Sequence, residues 1–296
     1  MTRPNNSPSA APAARSIRRL VASDIPVAHE LRRLAGWNQT ERDWVGYLEF
    51  EPEGCFAAEV GDRVVGTATT IRYGDRFGWV GMVLVHPEQR RTGVGTALLH
   101  AAIASLRARG VRCVKLDATP LGRNVYLPMG FQDEYGLSRF EGVAPSGSGD
   151  AASGVAPITE AILPALIAFD AEAFGAPRPA VVTTLSRRHP ELGFVWRDAA
   201  GIAGYILARE GTNAVQVGPW IARDAATAWE LLGHVLRRVA GRKVFLDVLE
   251  PNRAAGELMA RLGFKVQRSL TRMFSGENRH PGLPERVFGI SSPEKG

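Results

Sequence analysis

Apolar and polar positions alternate in three early runs, at roughly residues 55–61, 63–72 and 78–86, and the β-branched residues within them predict strands. From about 93 to 109 the rhythm changes: Val94, Ala97, Leu98, Ala101, Ala102 and Leu106 recur at the spacing of one helix face. A strand over 112–118 comes next. Thr119-Pro120 then reads as an N-cap with proline at the first helical position, opening a helix to about 128, and a strand over 131–140 closes the unit. A strand and two helices precede the meander. The remainder of the chain repeats this order, with helices near 160–173, 224–240 and 253–262. The fold class is α/β, mixed, and present twice.

Landmarks support the repetition. Leu20 and Pro26 are answered at one constant offset by Ile158 and Pro164, and Val65-Gly66 by Ala203-Gly204 at that same offset. Further on, Leu116-Asp117 and Gly130-Phe131 face Leu246-Asp247 and Gly263-Phe264. Five landmarks in one order point to a tandem duplication. Residues 142–154, rich in Gly, Ser and Ala, have nothing to bury and read as a linker. The chain therefore divides into a tail over 1–16, a first domain over 17–141, the linker over 142–154 and a second domain over 155–296.

Composition narrows the function. With 45% hydrophobic and 22% charged residues over 296 positions, the chain has the make-up of two globular domains. Two cysteines with no ligand spacing around them exclude a disulfide framework and favour a reducing, cytoplasmic setting; no metal is implied. No apolar run reaches the ~20 residues of a membrane span. A net charge of +6 raises nucleic acid as a partner, yet the arginines are scattered and not interleaved with aromatics. A basic cleft that attracts an anionic cofactor accounts for the same charge.

The chemistry concentrates in Val83-Leu-Val-His-Pro-Glu-Gln-Arg-Arg-Thr-Gly-Val-Gly-Thr96, a strand running into a glycine-bearing turn and then a helix. Gly93 and Gly95 let backbone approach a ligand, and the amides at the helix start form a cradle for a pyrophosphate. Arg90 and Arg91 add charge-assisted hydrogen bonds, and Thr96 adds a hydroxyl. Neither a P-loop nor a dinucleotide-binding fingerprint fits this spacing.

The segment resembles the GNAT acetyltransferases, whose signature of Gln/Arg-x-x-Gly-x-Gly/Ala after Val-x-Pro is matched by Arg90-Arg-Thr-Gly93-Val-Gly95 and Val85-His-Pro87. A second landmark agrees, Tyr126 standing four residues before Gly130-Phe131. Gly36-Trp-Asn-Gln-Thr40 and Leu116-Asp-Ala-Thr-Pro120 resemble a bacterial subgroup, the YitH type, in which a second, degenerate GNAT domain follows the first. Phe174-Gly175, Val217-Gly-Pro-Trp220 and Thr271-Arg-Met273 match that second domain.

The resemblance implies two GNAT domains, each a mostly antiparallel twisted sheet flanked by helices. It also implies direct transfer of an acetyl group from acetyl-CoA to an amine in the first domain. By it, Val83, Leu84 and Val85 line the pantetheine arm, Arg90, Arg91, Thr92, Gly93, Val94, Gly95 and Thr96 hold the phosphates, and Tyr126 protonates the leaving thiolate. Many members carry a Glu base on the fourth strand, where this chain has Trp79. Asp117 is the candidate base, with a structural role and a water chain as its rivals, since Asp247 repeats it. Trp37, Asn38, Gln39 and Trp44 fall where the acceptor site is roofed, although the two tryptophans serve equally as core anchors. The second half lacks both the turn and the tyrosine, having Met259 in its place. It reads as a wall of the acceptor pocket, with Asp170, Arg178, Trp220 and Arg272 as candidate contacts. The expected partner is a small-molecule amine, without nucleic acid or membrane, acting on a monomer or homodimer. The alternatives are a non-catalytic CoA- or ligand-binding regulatory protein and a peptide or protein N-acetyltransferase.

Overall fold

A computed structural model describes residues 15–146 and 154–296. The first half runs β1 (Arg15–Arg19), α1 (Ile25–Leu34), α2 (Glu41–Phe50), β2 (Cys55–Val60), β3 (Arg63–Tyr73), β4 (Phe77–Val85), α3 (Val94–Ala108), β5 (Cys113–Ala118), α4 (Pro120–Tyr126) and β6 (Gln132–Val143). The second runs β7 (Val155–Pro157), α5 (Leu163–Phe174), α6 (Pro179–Arg188), β8 (Phe194–Asp198), β9 (Gly201–Arg209), β10 (Val215–Ala222), α7 (Ala225–Arg238), β11 (Lys243–Leu249), α8 (Arg253–Arg261) and β12 (Lys265–Gly276). The order of elements is the same in both. A short β13 (Val287–Gly289) is added at the end of the second half.

The two halves do not close separately. All thirteen strands form one sheet, in the order β1-β2-β3-β4-β5-β12-β6-β11-β10-β9-β8-β7, with β13 against β10. β6 does not close the first half, as the sequence suggests. It leaves β5 and pairs antiparallel with β11, while β12 returns from the second half to pair with β5. At the centre the exchanged strands pair with each other. The expected linker is correspondingly shorter, because Gly142 and Val143 pair with Val244 and Lys243, and the Ala144 amide donates to the Arg242 carbonyl. Residues 147–153 of that linker and 1–14 of the expected tail lie outside the described residues, whereas Arg15 and Ser16 belong to β1.

Identical chemistry fixes both exchanges. Arg272 on β12 grips Asp117 on β5 through two hydrogen bonds of 2.8 and 2.9 Å. Arg139 on β6 grips Asp247 on β11 through two of 2.8 and 2.7 Å. All four side chains are buried. A buried carboxylate is costly unless paired in this bidentate way, so each half's aspartate demands the other half's arginine.

The core follows the exchange. One apolar cluster lies beneath α3 and another beneath α7, and the exchanged strands enter both: Met273 of β12 belongs to the first, and Phe140 of β6 packs against the second. On the opposite face, residues of α1 and α2 share a cluster with residues of α5 and α6, among them Leu31, Trp44, Tyr47, Leu166, Phe174 and Val182. Across that boundary Asp43 of α2 is held by Arg209 at 2.8 Å, Arg188 at 3.2 Å and Lys295 at 3.7 Å. Despite burial, Arg209 and Lys295, reinforced by the Thr40 amide, keep the Asp43 carboxyl below its usual range.

Removing one partner of a cross-half pair leaves a buried charge alone. Asp247→Ala and Arg139→Met are each expected to cost about 3–5 kcal/mol of stability. Denaturant unfolding measures this, and a loss under ~1 kcal/mol would remove the pair's assigned role. Halves produced separately, cut between Ser146 and Gly154, should be soluble only when produced together.

Candidate active site

The glycine turn lies where β4 and β5 part. Among the described residues these strands pair in parallel only at Gly78–Val114 and Trp79–Lys115, and beyond that point β4 has no strand partner on its β5 side. A bulge marks the divergence: β4 carries one extra residue against β3 between Gly81 and Leu84, and Met82 adopts a left-handed φ of 49°. The Thr67 hydroxyl secures the bulge by donating to the Met82 carbonyl at 2.9 Å. A bulky residue in that conformation costs energy, and such strain is characteristic of ligand-binding backbone. Val83 and Val85 are half-buried here, while the Leu84 side chain points into the core, leaving only its backbone for a ligand.

After β4, Arg91 (φ 62°) and Gly93 (φ 86°) turn the backbone into α3. Among the described residues no side chain caps the amides at the start of α3, and Arg90, Arg91, Thr92, Gly93 and Thr96 are exposed around them. Val94 is a core residue and contributes backbone alone. Gly95 is informative because the fold does not require it. A Cβ at this position would meet only Val85 Cγ2, at an ordinary 3.5 Å. Glycine inside a helix costs about 0.5–1 kcal/mol relative to alanine, so a close-approaching ligand is the remaining reason for it. The strand edge, the uncapped amides and this gap fit the pantetheine arm and pyrophosphate of acetyl-CoA.

The second half closes each equivalent feature. β13 lies against β10, pairing Trp220 with Gly289, and the Ile290 amide donates to the Asp247 carbonyl of β11, so the β10–β11 cleft is filled by the chain itself. The Asp224 side chain caps α7 by accepting from the Thr227 amide at 2.8 Å, placing a carboxylate where a phosphate would bind. Met259, the counterpart of Tyr126, is wholly buried.

Tyr126 closes α4, which the Thr119 side chain caps through the Gly122 amide as the sequence predicts. Its ring packs on Phe131 at 5.9 Å, and burial pushes the phenol up to about 12, so it stays protonated. Cys113 is a buried free thiol raised by desolvation, as an inert core residue should be. Among the described residues no cluster of ligating side chains could hold a metal ion, and no helix is long and apolar enough to cross a membrane.

The candidate acceptor residues fall into two groups. Trp37, Gln39 and Asp117 line one small cavity, partly open to solvent, together with Thr119, Arg268, Leu270, Pro293 and Glu294. Arg178 and Arg272 line a second cavity beside Tyr135, Phe174 and Gly296. The other candidates serve the fold. Trp44 is a core residue set edge-on to Tyr47, and Trp220 is buried against Phe288. Asn38 is consumed as a clamp between halves: its Nδ2 donates to the Ala214 carbonyl, and its Oδ1 accepts the Asn213 and Ala214 amides. Asp170 is closed off by two bonds from Arg178 and by the Tyr205 hydroxyl. Asp117, with both oxygens held by Arg272, has the geometry of its rival structural reading.

Sequence reasoning missed the segment 290–296, whose composition resembles a solvated tail. Its Glu294 is buried, accepting from Tyr47 Oη at 2.9 Å and Gln39 Nε2 at 2.8 Å, with Lys295 Nζ at 2.7 Å. Lys295 and Arg209 hold that carboxyl well below its usual range. Trp79 Nε1 donates to the Pro293 carbonyl, and Arg178 to that of Gly296.

Comparison with known proteins bears on the fold and the class of protein. Residues 22–131 match the acetyltransferase (GNAT) family model, and residues 166–289 match that of an acetyltransferase (GNAT) domain. Holothin acyltransferase of Pseudoalteromonas sp. (strain SANK 73390) is 28% identical over 262 residues, covering 88% of this chain and 86% of that protein. A Pyrococcus horikoshii protein assigned as an acetyltransferase superposes with a TM-score of 0.81 at 23% identity, over 99% of this chain and all of its own. A tandem GNAT protein from the clavulanic acid biosynthesis pathway gives 0.59 at 19%, over 89% and 98%.

Because α3 has room for a Cβ at Gly95, Gly95→Ala should keep or slightly raise thermal stability. Gly95→Val should abolish acetyl-CoA binding while the protein remains folded. Calorimetry with circular dichroism separates the two effects, and undiminished binding by the valine variant would refute the cradle.

Proposed function

From a chain that belongs to the GNAT acyltransferases through two tandem domains, we propose that the first half transfers an acetyl group from acetyl-CoA directly to the amine of a small molecule. The second half, in this reading, is a wall of the acceptor pocket without chemistry of its own. The contrast between the two clefts carries the proposal: β4 and β5 part around an uncapped helix, whereas β10 and β11 are filled by β13 and α7 is capped by Asp224. A cavity lined from both halves suits a small acceptor better than a polypeptide. The likeness to a holothin acyltransferase along most of both chains supports the same class.

Acetyl-CoA supplies the thioester when bound. The turn amides with Arg90 and Arg91 would hold its phosphates, and the free edge of β4 would align the arm, so that positioning provides most of the acceleration. Tyr126, kept neutral by burial, is the proton donor to the departing sulfur. Asp117 is assigned to positioning: paired with Arg272, it fixes β5 beside the cavity, and the proton of the attacking amine leaves through water. The chain would act as a monomer or homodimer in a reducing cytoplasm, where Cys55 and Cys113 remain thiols. Nucleic acid, membrane and metal have no part in the reaction proposed.

Calorimetric titration should find one acetyl-CoA site per chain, and two would contradict the assignment of the second half. Tyr126→Phe should lower kcat by about 10²-fold with little change in acetyl-CoA affinity. Since the phenol is raised to about 12, activity should climb with pH as the amine loses its proton and show no descending limb below ~pH 10. An intact kcat in Tyr126→Phe would rule out the tyrosine as the acid.

A further inference from the structure

The cavity beside β5 has a charge that the chain does not balance. Its two carboxylates are both engaged, Asp117 by Arg272 and Glu294 by Lys295, Tyr47 and Gln39. The remaining charged group on the wall is Arg268 of β12. It has no ion-pair or hydrogen-bond partner among the described residues, and its Nε is shielded from solvent. Burial, with the neighbouring Arg139, draws its pKa down to about 10, although Asp247 and Glu294, both already held by other cations, pull the other way. Its guanidinium lies 5.9 Å from the ring centre of Trp37, on the same wall. Gln39 contributes the complement: its Nε2 is donated to Glu294, while its buried Oε1 accepts nothing.

A half-buried guanidinium with a shielded Nε and no directly bonded carboxylate is poorly solvated, and a planar carboxylate meeting its fork with two hydrogen bonds relieves the cost. An amide oxygen in want of a donor suits an amine N–H. We propose that this cavity receives an acceptor amine that also bears a carboxylate, the carboxylate seated on Arg268 against Trp37 and the amine N–H directed to Gln39 Oε1. The inference rests on the acyl-transfer reading and narrows its substrate class. Arg268 is the specificity-determining residue, since a site built around a charged partner rejects the analogue that lacks it.

The test uses matched amines differing by one carboxylate: L-phenylalanine against 2-phenylethylamine, and 4-aminobutyrate against propylamine, with CoA release as the readout. The carboxylate member should be favoured at least ~10-fold in kcat/KM. That ratio should fall toward one in Arg268→Gln and persist in part in Arg268→Lys. Equal or inverse preference in the native protein, or a ratio indifferent to Arg268→Gln, overturns the inference. So does a loss of acetyl-CoA affinity in Arg268→Gln without a change in the ratio, which would place the guanidinium on the cofactor. If no amine releases CoA, binding of benzoate against benzamide, followed by ligand-observed NMR, decides separately. Benzoate binding that depends on Arg268 sustains the anion seat while the acyl-transfer reading fails, and binding indifferent to Arg268 overturns the seat itself.

Discussion

Two buried ion pairs hold this architecture in its exchanged form. Asp117 and Asp247 occupy equivalent places on β5 and β11, and each is gripped by an arginine of the opposite half. Those arginines, Arg272 and Arg139, each stand eight residues beyond a Gly-Phe pair, Gly263-Phe264 and Gly130-Phe131. Neither half can satisfy its own aspartate while β6 and β12 lie where they do. The pairs thus specify register and partner as much as they stabilise, because a slip of one residue would strand both charges in the interior.

Local chemistry in this chain was legible, and long-range pairing was not. Strand alternation, the face of α3, the Thr119 cap and the turn around Gly93 depend on near neighbours, and the observed elements agree to within a few residues. The place of Tyr126 at the end of α4 was readable for the same reason. The exchange was invisible because β6 and β12 carry the same kind of pattern, so either satisfies the edge of β5. Asp117 as a base was equally undecidable, since Arg272 lies 155 residues away. Trp44 and Trp220 illustrate the limit of residue type as a guide: large aromatics near a site are as useful to the core as to a ligand. The buried charges of 290–296 run against the rule that polar segments are solvated, and their partners, Asp43, Arg209, Tyr47 and Gln39, all lie far away in sequence.

The two halves show how one fold is opened or shut by small additions. A three-residue strand and a single capping aspartate suffice to fill the strand gap and cap the helix start in the second half, whereas the first half keeps the gap. The first half also receives from the second the strand and the segment that complete its cavity. A duplicated domain here has become part of its neighbour's walls.

The exchanged strand also orders events in time. As the chain is synthesised, the first half emerges with the edge of β5 bare, since its neighbour β12 lies about 150 residues downstream. At a synthesis rate of about 5–20 residues per second, that edge stays uncovered for roughly 8–30 s. Until then β5 lacks the strand that covers it in the finished fold, and Asp117 lacks Arg272. An uncovered strand edge recruits other chains readily. The same swap that welds the finished protein together therefore makes its nascent form depend on protection from its own copies.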